Sequence, residues 1–341
     1  MLRPSRPLTV AVVGATGVVG REMFRVLEQR AFPCAKLKAL ASERSVGLEL
    51  TCDGERVPVE PLDDNAFQGV DLALFSAGAD VSLIHAPIAV EAGALVVDNS
   101  SAWRMKENVP LVVPEVNPED IRGNEGIVAN PNCCAIPLTV VLEPLRERVG
   151  LRRVVVSTYQ SASGAGKALV DELADQVQAL AACRTPEPLV YPHQLAHNVV
   201  PGGWKMEQDG YNEEEIKLLQ ETRKIMHLPE LRLAATCVRV PVPVSHGESV
   251  FVETEEPLEP DAARELLEAA SGVIVEDDPA SKRYPTPASV AGTDDVYVGR
   301  IRRDLSTEHG LALWIVADNL RKGAALNAVQ IAERALAEEV I

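Results

Sequence analysis

The segment Asn130-Pro131-Asn132-Cys133-Cys134-Ala135-Ile136-Pro137 runs into the apolar stretch 138–145, which places Cys133 at or just before a helix N-terminus. Partial positive charge at that end stabilises a thiolate, so Cys133 is a candidate nucleophile. The same surroundings suit a buried small hydrophobe, and the segment alone leaves both readings open. A thiolate fits acyl transfer because it attacks and leaves readily, splitting one difficult displacement into two easier ones. The side chain of Asn132 and backbone N–H groups near Cys133 are candidate donors to the oxyanion of such a reaction.

A second chemical feature is the run Gly14-Ala15-Thr16-Gly17-Val18-Val19-Gly20. Between a strand and a helix, such glycines permit a tight turn and let backbone N–H groups approach a pyrophosphate at the positive helix end. We therefore read Gly14, Ala15, Thr16, Gly17, Val18 and Val19 as dinucleotide contacts. An NAD-specific site would offer a carboxylate to the ribose after the second strand, whereas this chain reads Ala41-Ser42-Glu43-Arg44-Ser45. Ser42, Arg44 and Ser45 suit a 2′-phosphate, so the expected cofactor is NADP, with Glu43 a solvated loop charge.

The elements that must hold these residues follow from hydrophobic spacing. Leu8–Val13 is a short apolar strand and Val18–Gln29 carries helical spacing at Val19, Met23, Val26 and Leu27. Further apolar strands at 36–41, 71–75 and 95–97 predict a Rossmann-like doubly wound parallel sheet. After residue 150 strand-like runs at 154–159, 231–240, 250–253, 273–275, 296–301 and 311–317, with fewer helices, predict an α+β unit with an antiparallel or mixed sheet. The stretch 322–340 has Leu326, Val329, Ile331 and Leu336 roughly on one face and predicts an amphipathic helix. The expected division of this α/β chain is 1–130 for the dinucleotide, joined by 320–341, and 131–319 for catalysis and dimerisation.

Length and composition bound the remaining possibilities. The chain has 341 residues, of which 46% are hydrophobic and 24% charged, with a formal net charge of −17. Two domains with a cleft are the first expectation, and nucleic acid or an anionic membrane is an improbable partner at that charge. Residues 1–9 contain Arg3 and Arg6 but no apolar stretch of signal-peptide length follows, so a cytoplasmic protein is expected. The six cysteines lack paired spacing and read as free thiols. His193 and His197 have metal-like spacing, yet Pro192 and Pro201-Gly202-Gly203 argue against a helix that would align them, and no metal is expected.

The ordered segments GATGVVG, SSAWRM, VVPEVN, NPNCC, TYQSASGAG, RVPVPVSHGES and NLRKGAALNAVQIAE span nearly the whole chain, which resembles the bacterial aspartate-semialdehyde dehydrogenases. The resemblance implies reductive dephosphorylation of L-4-aspartyl phosphate to L-aspartate 4-semialdehyde with NADPH, releasing inorganic phosphate, in the biosynthesis of lysine, threonine, methionine and isoleucine. It implies that Cys133 forms the thioester, that Gln160 positions the acyl group and that His246 is the general acid/base. Arg239 would grip the substrate α-carboxylate, Glu214 would receive the α-ammonium, and Arg104 with Lys217 would surround the phosphate. Read without the resemblance, Glu213, Glu214 and Glu215 are equally an exposed first helical turn. Candidate cofactor contacts also include Ser76, Ala77, Gly78, Ser163, Gly164 and Asn319. The chain reads Ser245-His246-Gly247 where the family more often has Gly-His-Ser, and Cys134 stands where a small residue is usual, so Cys134 reads as structural. A homodimer is expected. The competing readings are an N-acetyl-γ-glutamyl-phosphate reductase and a non-catalytic paralogue that binds the dinucleotide.

Overall fold

The computed structural model describes residues 8–341, so Arg3 and Arg6 lie outside the described residues. The chain forms two compact units, one made of Met1–Asn132 with Ala324–Ile341 and the other of Cys133–Gly323.

The first unit begins with β1 (Leu8–Val13), α1 (Val18–Gln29) and β2 (Cys34–Ala41). A hairpin of β3 (Glu49–Cys52) and β4 (Glu55–Pro61) follows, then β5 (Leu72–Phe75), α2 (Ala79–Glu91), β6 (Leu95–Asp98) and β7 (Ile127–Ala129). Seven strands lie in the order β3-β4-β2-β1-β5-β6-β7, parallel throughout except for the β3/β4 hairpin. The order reverses between β1 and β5, which is the topological switch point where open α/β sheets bind ligands. The central strands β1 and β5 are apolar and buried except at Thr9, as expected for strands covered on both faces. The doubly wound expectation therefore holds. The hairpin was not expected, because Glu49, Glu55, Arg56 and Glu60 dilute its apolar pattern at the sheet edge.

The C-terminal helix, Leu326–Ala337, packs on α1, β5 and β6 and buries Leu326, Val329 and Ile331. It starts later than the spacing predicts, because Arg321–Ala325 form a wider π-type turn instead. Sequence spacing alone cannot separate the two, since the turn continues the helical progression of apolar residues.

The second unit contains α3 (Ala135–Val149), β8 (Leu151–Gln160), α4 (Lys167–Ala181), α5 (Glu213–Ile225) and β9 (Arg232–Arg239). It continues with β10 (His246–Thr254), α6 (Pro260–Glu268), β11 (Val273–Val275), β12 (Val296–Arg303) and β13 (Gly310–Ala317). The six strands run β11-β12-β13-β10-β8-β9, with β8/β9 and β11/β12 parallel and the other pairs antiparallel. This is the expected mixed sheet, although α3 to α6 make the unit richer in helix than its sequence texture implies. α3 lies on β10, β12 and β13 and is buried along nearly its whole length. Its sequence AIPLTVVLEPLRERV is apolar on all sides through Leu142, the pattern of an interior helix. Among the described residues, no helix is long and apolar enough to cross a membrane.

Candidate active site

Cys133 lies one residue before the N-cap of α3, the position expected of it, and Cys134 is that N-cap residue. The N-cap Cys134 makes no side-chain capping hydrogen bond among the described residues, so the positive end of the helix lies beside the cysteines. The Cys133 thiol is held well below the ordinary cysteine range. A hydrogen bond from Cys134 is the largest influence; burial opposes it, the nearby His246 reinforces it, and Glu214 works against it. The donor atoms of Cys133, Cys134 and His246 all lie within 4.8 Å of one another.

His246 opens β10 and is 1% exposed. Its Nδ1 accepts a hydrogen bond from the backbone N–H of Ser161 at 3.0 Å, with the Ser161 hydroxyl 3.1 Å away. Because a backbone N–H can only donate, the neutral ring carries its proton on Nε2. That Nε2 is buried and has no hydrogen-bond partner among the described residues. It is therefore an N–H available to a reacting oxygen.

Asn319 fixes this arrangement from behind. Its side-chain oxygen accepts from the Ser161 hydroxyl at 3.2 Å, the Ser163 hydroxyl at 3.1 Å and the Ser245 N–H at 2.8 Å. Its amide nitrogen donates to Ser163 at 2.9 Å. Ser245 precedes His246 with φ of 72°, in the left-handed region, and its buried hydroxyl has no hydrogen-bond partner among the described residues. Gly247 follows, and a Cβ there would meet the Trp314 ring at 2.6 Å. The Ser-His-Gly order thus has its cause on the Gly247 side, where an indole occupies the space a serine would need.

Gln160 ends β8, accepts from the Thr158 hydroxyl at 3.0 Å and donates to Glu214 at 3.1 Å. Glu214 sits in the first turn of α5, which Asn212 caps by accepting from the N–H groups of Glu214 and Glu215 at 3.0 Å each. Glu215 returns a hydrogen bond to the Asn212 N–H at 2.9 Å, completing a capping box. The acidic run is therefore a helix start, as its composition suggests, but Glu214 itself is buried against Gln160. Lys217 lies one turn on, 3.5 Å from Glu213 and 3.7 Å from Glu214.

Arg239 ends β9 and is 2% exposed. Its Nη1 donates to the Ser161 carbonyl at 2.6 Å, and its guanidinium carbon lies 4.8 Å from the centroid of Trp204 and 5.8 Å from that of Tyr191. Among the described residues its buried Nε has no hydrogen-bond partner, so a planar cation is held in place with donor capacity to spare. A Cβ on Gly164 would lie 3.2 Å from both Arg239 Nη1 and His246 Nε2, so glycine leaves clear the space these two groups share. The second unit thereby gathers Cys133, Gln160, Glu214, Lys217, Arg239 and His246.

Ser163, Gly164 and Asn319 also belong to the second unit, and the remaining expected residues lie in the first. Arg104 donates to the carbonyls of Asn130 at 3.0 Å and Asn99 at 2.7 Å, and Asn132 is buried. Gly14 has φ of 78°, and a Cβ there would meet the Ser76 carbonyl at 2.9 Å, which brings the ends of β1 and β5 together as a dinucleotide turn requires. Gly20 has the third-glycine role, since a Cβ would meet the Gly14 carbonyl at 2.3 Å. Gly78 caps α2 directly after Ser76 and Ala77. After β2, Ser42, Glu43 and Arg44 are exposed around a 3₁₀ turn, and the Ser45 hydroxyl is 3.3 Å from that of Thr16. His193 and His197 occupy a non-helical segment and do not align. Sequence reasoning missed the parts played by Ser161, Ser245 and Asn212; only Asn212 had a local signal, the Asn-x-x-Glu of a capping box.

A doubly wound nucleotide-binding sheet joined to a unit that sets a half-buried thiol beside a buried imidazole is the construction of a dehydrogenase that works through a nucleophile. Two family models match the chain, the semialdehyde dehydrogenase NAD binding domain over residues 9–124 and the semialdehyde dehydrogenase dimerisation domain over residues 142–322. The chain belongs to the aspartate-semialdehyde dehydrogenase family. It is 51% identical to aspartate-semialdehyde dehydrogenase of Aquifex aeolicus, covering 97% of this chain and 99% of that one. Identity to the enzyme of Bacillus subtilis is 48%, over 96% and 97% of the two chains. The crystal structure of aspartate semialdehyde dehydrogenase II complexed with ASA from Vibrio cholerae superposes with a TM-score of 0.94 at 44% identity, covering 98% and 99%.

Proposed function

We propose that this chain reduces L-4-aspartyl phosphate to L-aspartate 4-semialdehyde with NADPH, releasing inorganic phosphate, through a thioester on Cys133. The observation that carries the reading is the depressed Cys133 thiol beside a histidine whose tautomer leaves Nε2–H free to act. The full-length relatives named for this activity, and the Vibrio cholerae neighbour complexed with ASA, support the substrate.

In this reading the Cys133 thiolate attacks the acyl carbon and phosphate leaves. NADPH, when bound, supplies the hydride. His246 donates its Nε2 proton to the oxyanion that follows reduction, then takes a proton back as the carbon–sulfur bond breaks and the aldehyde leaves, which regenerates the thiolate. Backbone N–H groups at the start of α3, with Asn132, stabilise charge on the substrate oxygen. Arg239 grips the α-carboxylate and Glu214 the α-ammonium, while Gln160, braced by Thr158 and Glu214, orients the acyl group. Arg104 and Lys217 hold the phosphate.

The turn at Gly14 fits a dinucleotide because the backbone crowds the space a side chain would need. Residues 14–19 and 76–78 would hold it, and Ser163, Gly164 and Asn319 are the further candidate contacts. Ser42, Arg44 and Ser45 would take the 2′-phosphate, which is why NADP is proposed over NAD. The match to a dimerisation domain supports a homodimer. The acidic balance and free cysteines fit a cytoplasmic enzyme.

The test is phosphate-dependent reduction of NADP by aspartate semialdehyde, with wild type and Cys133→Ala, repeated for wild type with NAD and with N-acetylglutamate semialdehyde. Loss of turnover in the mutant and preference for NADP and the aspartyl substrate are expected. A folded, NADP-binding wild type with no turnover refutes the proposal.

A further inference from the structure

Residues 184–206, between α4 and α5, form no helix and no strand beyond single bridge residues, yet α4 holds them at defined points. Glu172 and Gln176 stand one turn apart on α4 and are both buried. The Glu172 carboxylate accepts from the N–H groups of three consecutive residues, Leu189 at 2.6 Å, Val190, and Tyr191 at 3.3 Å. Among the described residues no basic side chain pairs with it. Gln176 donates to Glu172 and to the Glu187 carbonyl at 3.3 Å each, while its oxygen accepts from the N–H groups of Leu195 at 2.8 Å and Ala196 at 3.0 Å. Leu169 and Leu173 of the same helix pack with Tyr191, Leu195, Ala196 and Val200.

The fastened segment runs directly onto Arg239. Val200 exchanges backbone hydrogen bonds with Arg239 at 2.9 and 2.8 Å. The Tyr191 hydroxyl donates to the Gly202 carbonyl, and Gly203, with φ of 97°, turns the chain where a Cβ would collide with the Tyr191 ring. Trp204 follows at once. Its ring and that of Tyr191 are the two that lie by the Arg239 guanidinium.

We infer that Trp204 and Tyr191 are positioning residues that set the angle at which Arg239 meets the substrate carboxylate, and that Glu172 and Gln176 hold them there by fastening their segment to α4. The inference rests on Arg239 gripping that carboxylate in the proposed reaction.

A guanidinium recognises a carboxylate through N–H groups that lie in its own plane, so turning that plane loses alignment while leaving the charge where it was. The bond from Nη1 to the Ser161 carbonyl fixes one corner of Arg239, and a single corner leaves the plane free to swing. The two rings remove that freedom, since a cation is attracted to an aromatic face and meets resistance on leaving it. Glu172 secures the rings in turn. A buried carboxylate without a cation is costly unless its oxygens are filled, and here the N–H groups of residues 189–191 fill them. The segment and the carboxylate therefore stabilise each other only when docked.

The experiment measures KM and kcat for aspartate semialdehyde, with phosphate and NADP saturating, in wild type, Trp204→Leu, Trp204→Phe and Glu172→Gln. Alkylation of Cys133 by iodoacetamide, a neutral reagent that needs no guanidinium, runs beside it. Trp204→Leu should raise KM about tenfold with kcat within about threefold of wild type, and Trp204→Phe, which restores an aromatic face, should bring KM back to within about threefold. Glu172→Gln turns an amide N–H₂ toward backbone donors, so amide exchange at residues 189–191 should quicken at least about tenfold and KM should rise by about 3–10-fold. Cys133 alkylation should stay within about twofold in every variant, which a general loosening of the unit would not allow. An unchanged KM in Trp204→Leu, or a KM in Trp204→Phe as high as in Trp204→Leu, overturns the part given to the rings. Unchanged exchange in Glu172→Gln, or faster exchange without a rise in KM, overturns the fastening. Should Glu172→Gln not fold, Gln176→Met releases the second anchor and is read by the same two measurements. A wild type alkylated at Cys133 that turns over no aspartate semialdehyde overturns the reaction itself, and the role of Arg239 with it, before any variant is compared.

Discussion

Replacing Ser245 by glycine should stabilise the protein while leaving the site intact. Ser245 holds φ of 72°, a conformation that costs a residue with a Cβ about 1–2 kcal/mol relative to glycine. Its buried hydroxyl has no partner among the described residues, at a further cost of about 1–3 kcal/mol. Against this, glycine gains about 0.4–1 kcal/mol of freedom in the unfolded chain. The balance favours Ser245→Gly by at least about 1 kcal/mol. The hydrogen bond to Asn319 comes from the Ser245 backbone and survives the change. For a unit of this size the melting temperature should rise by about 2–4 °C for each kcal/mol gained. Scanning calorimetry at fixed protein and cofactor concentration would measure it, with turnover as the control. Gly247→Ser is the opposite case, because its Cβ would meet the Trp314 ring at 2.6 Å. That ring is fixed by its hydrogen bond to the Pro285 carbonyl and an edge contact with Tyr159, so the variant should lose about 1–3 kcal/mol. A Ser245→Gly protein that melts at or below the wild-type temperature would refute the strain argument.

Asn212→Ala removes the cap of α5 and should cost about 1 kcal/mol of stability, while the displaced Glu214 raises KM for the aldehyde more than it lowers kcat; steady-state kinetics and a denaturant titration would check both. Arg44→Ala should lower the preference for NADP over NAD by about 10–100-fold, read as the ratio of the two kcat/KM values, because a charged hydrogen bond contributes about 1.5–3 kcal/mol. Glu248→Gln should become more stable relative to wild type as pH rises. A carboxyl with a raised folded pKa favours folding fully only below its unfolded pKa, and that contribution is lost as pH rises toward the folded value. The gap should therefore open above about pH 4.3, by up to about 1.4 kcal/mol per unit, in melts across pH 4–8.

Where the sequence was legible, a local pattern had one physical meaning. The glycine turn after Leu8–Val13 and the helix at Val18–Gln29 could be placed because spacing, glycine and burial agree. The position of Cys133 before α3 was legible for the same reason. The β3/β4 hairpin was not, since charged side chains on a sheet edge mask its alternation, and β7 is too short to show a period. The π-type turn at Arg321–Ala325 mimics the helix it precedes. Asn319 illustrates a deeper limit: the serines it joins lie up to 158 positions away, and no local pattern encodes such a meeting. The role read for Arg104 came from the family motif, and its local geometry shows a side chain braced on Asn99 and Asn130.

The support of His246 by Ser161, and of Ser161 by Asn319, has a consequence for how the protein is made. A nascent chain exposes Cys133 and its helix long before the histidine strand is synthesised, and the asparagine that locks the ring comes later still. Until then the Cys133 thiol lacks the share of its depression that His246 supplies. On the proposed reading of Cys133 as the nucleophile, its full reactivity therefore waits for completion of the second unit, and a ribosome-bound or truncated chain lacking Asn319 carries that thiol only partly activated.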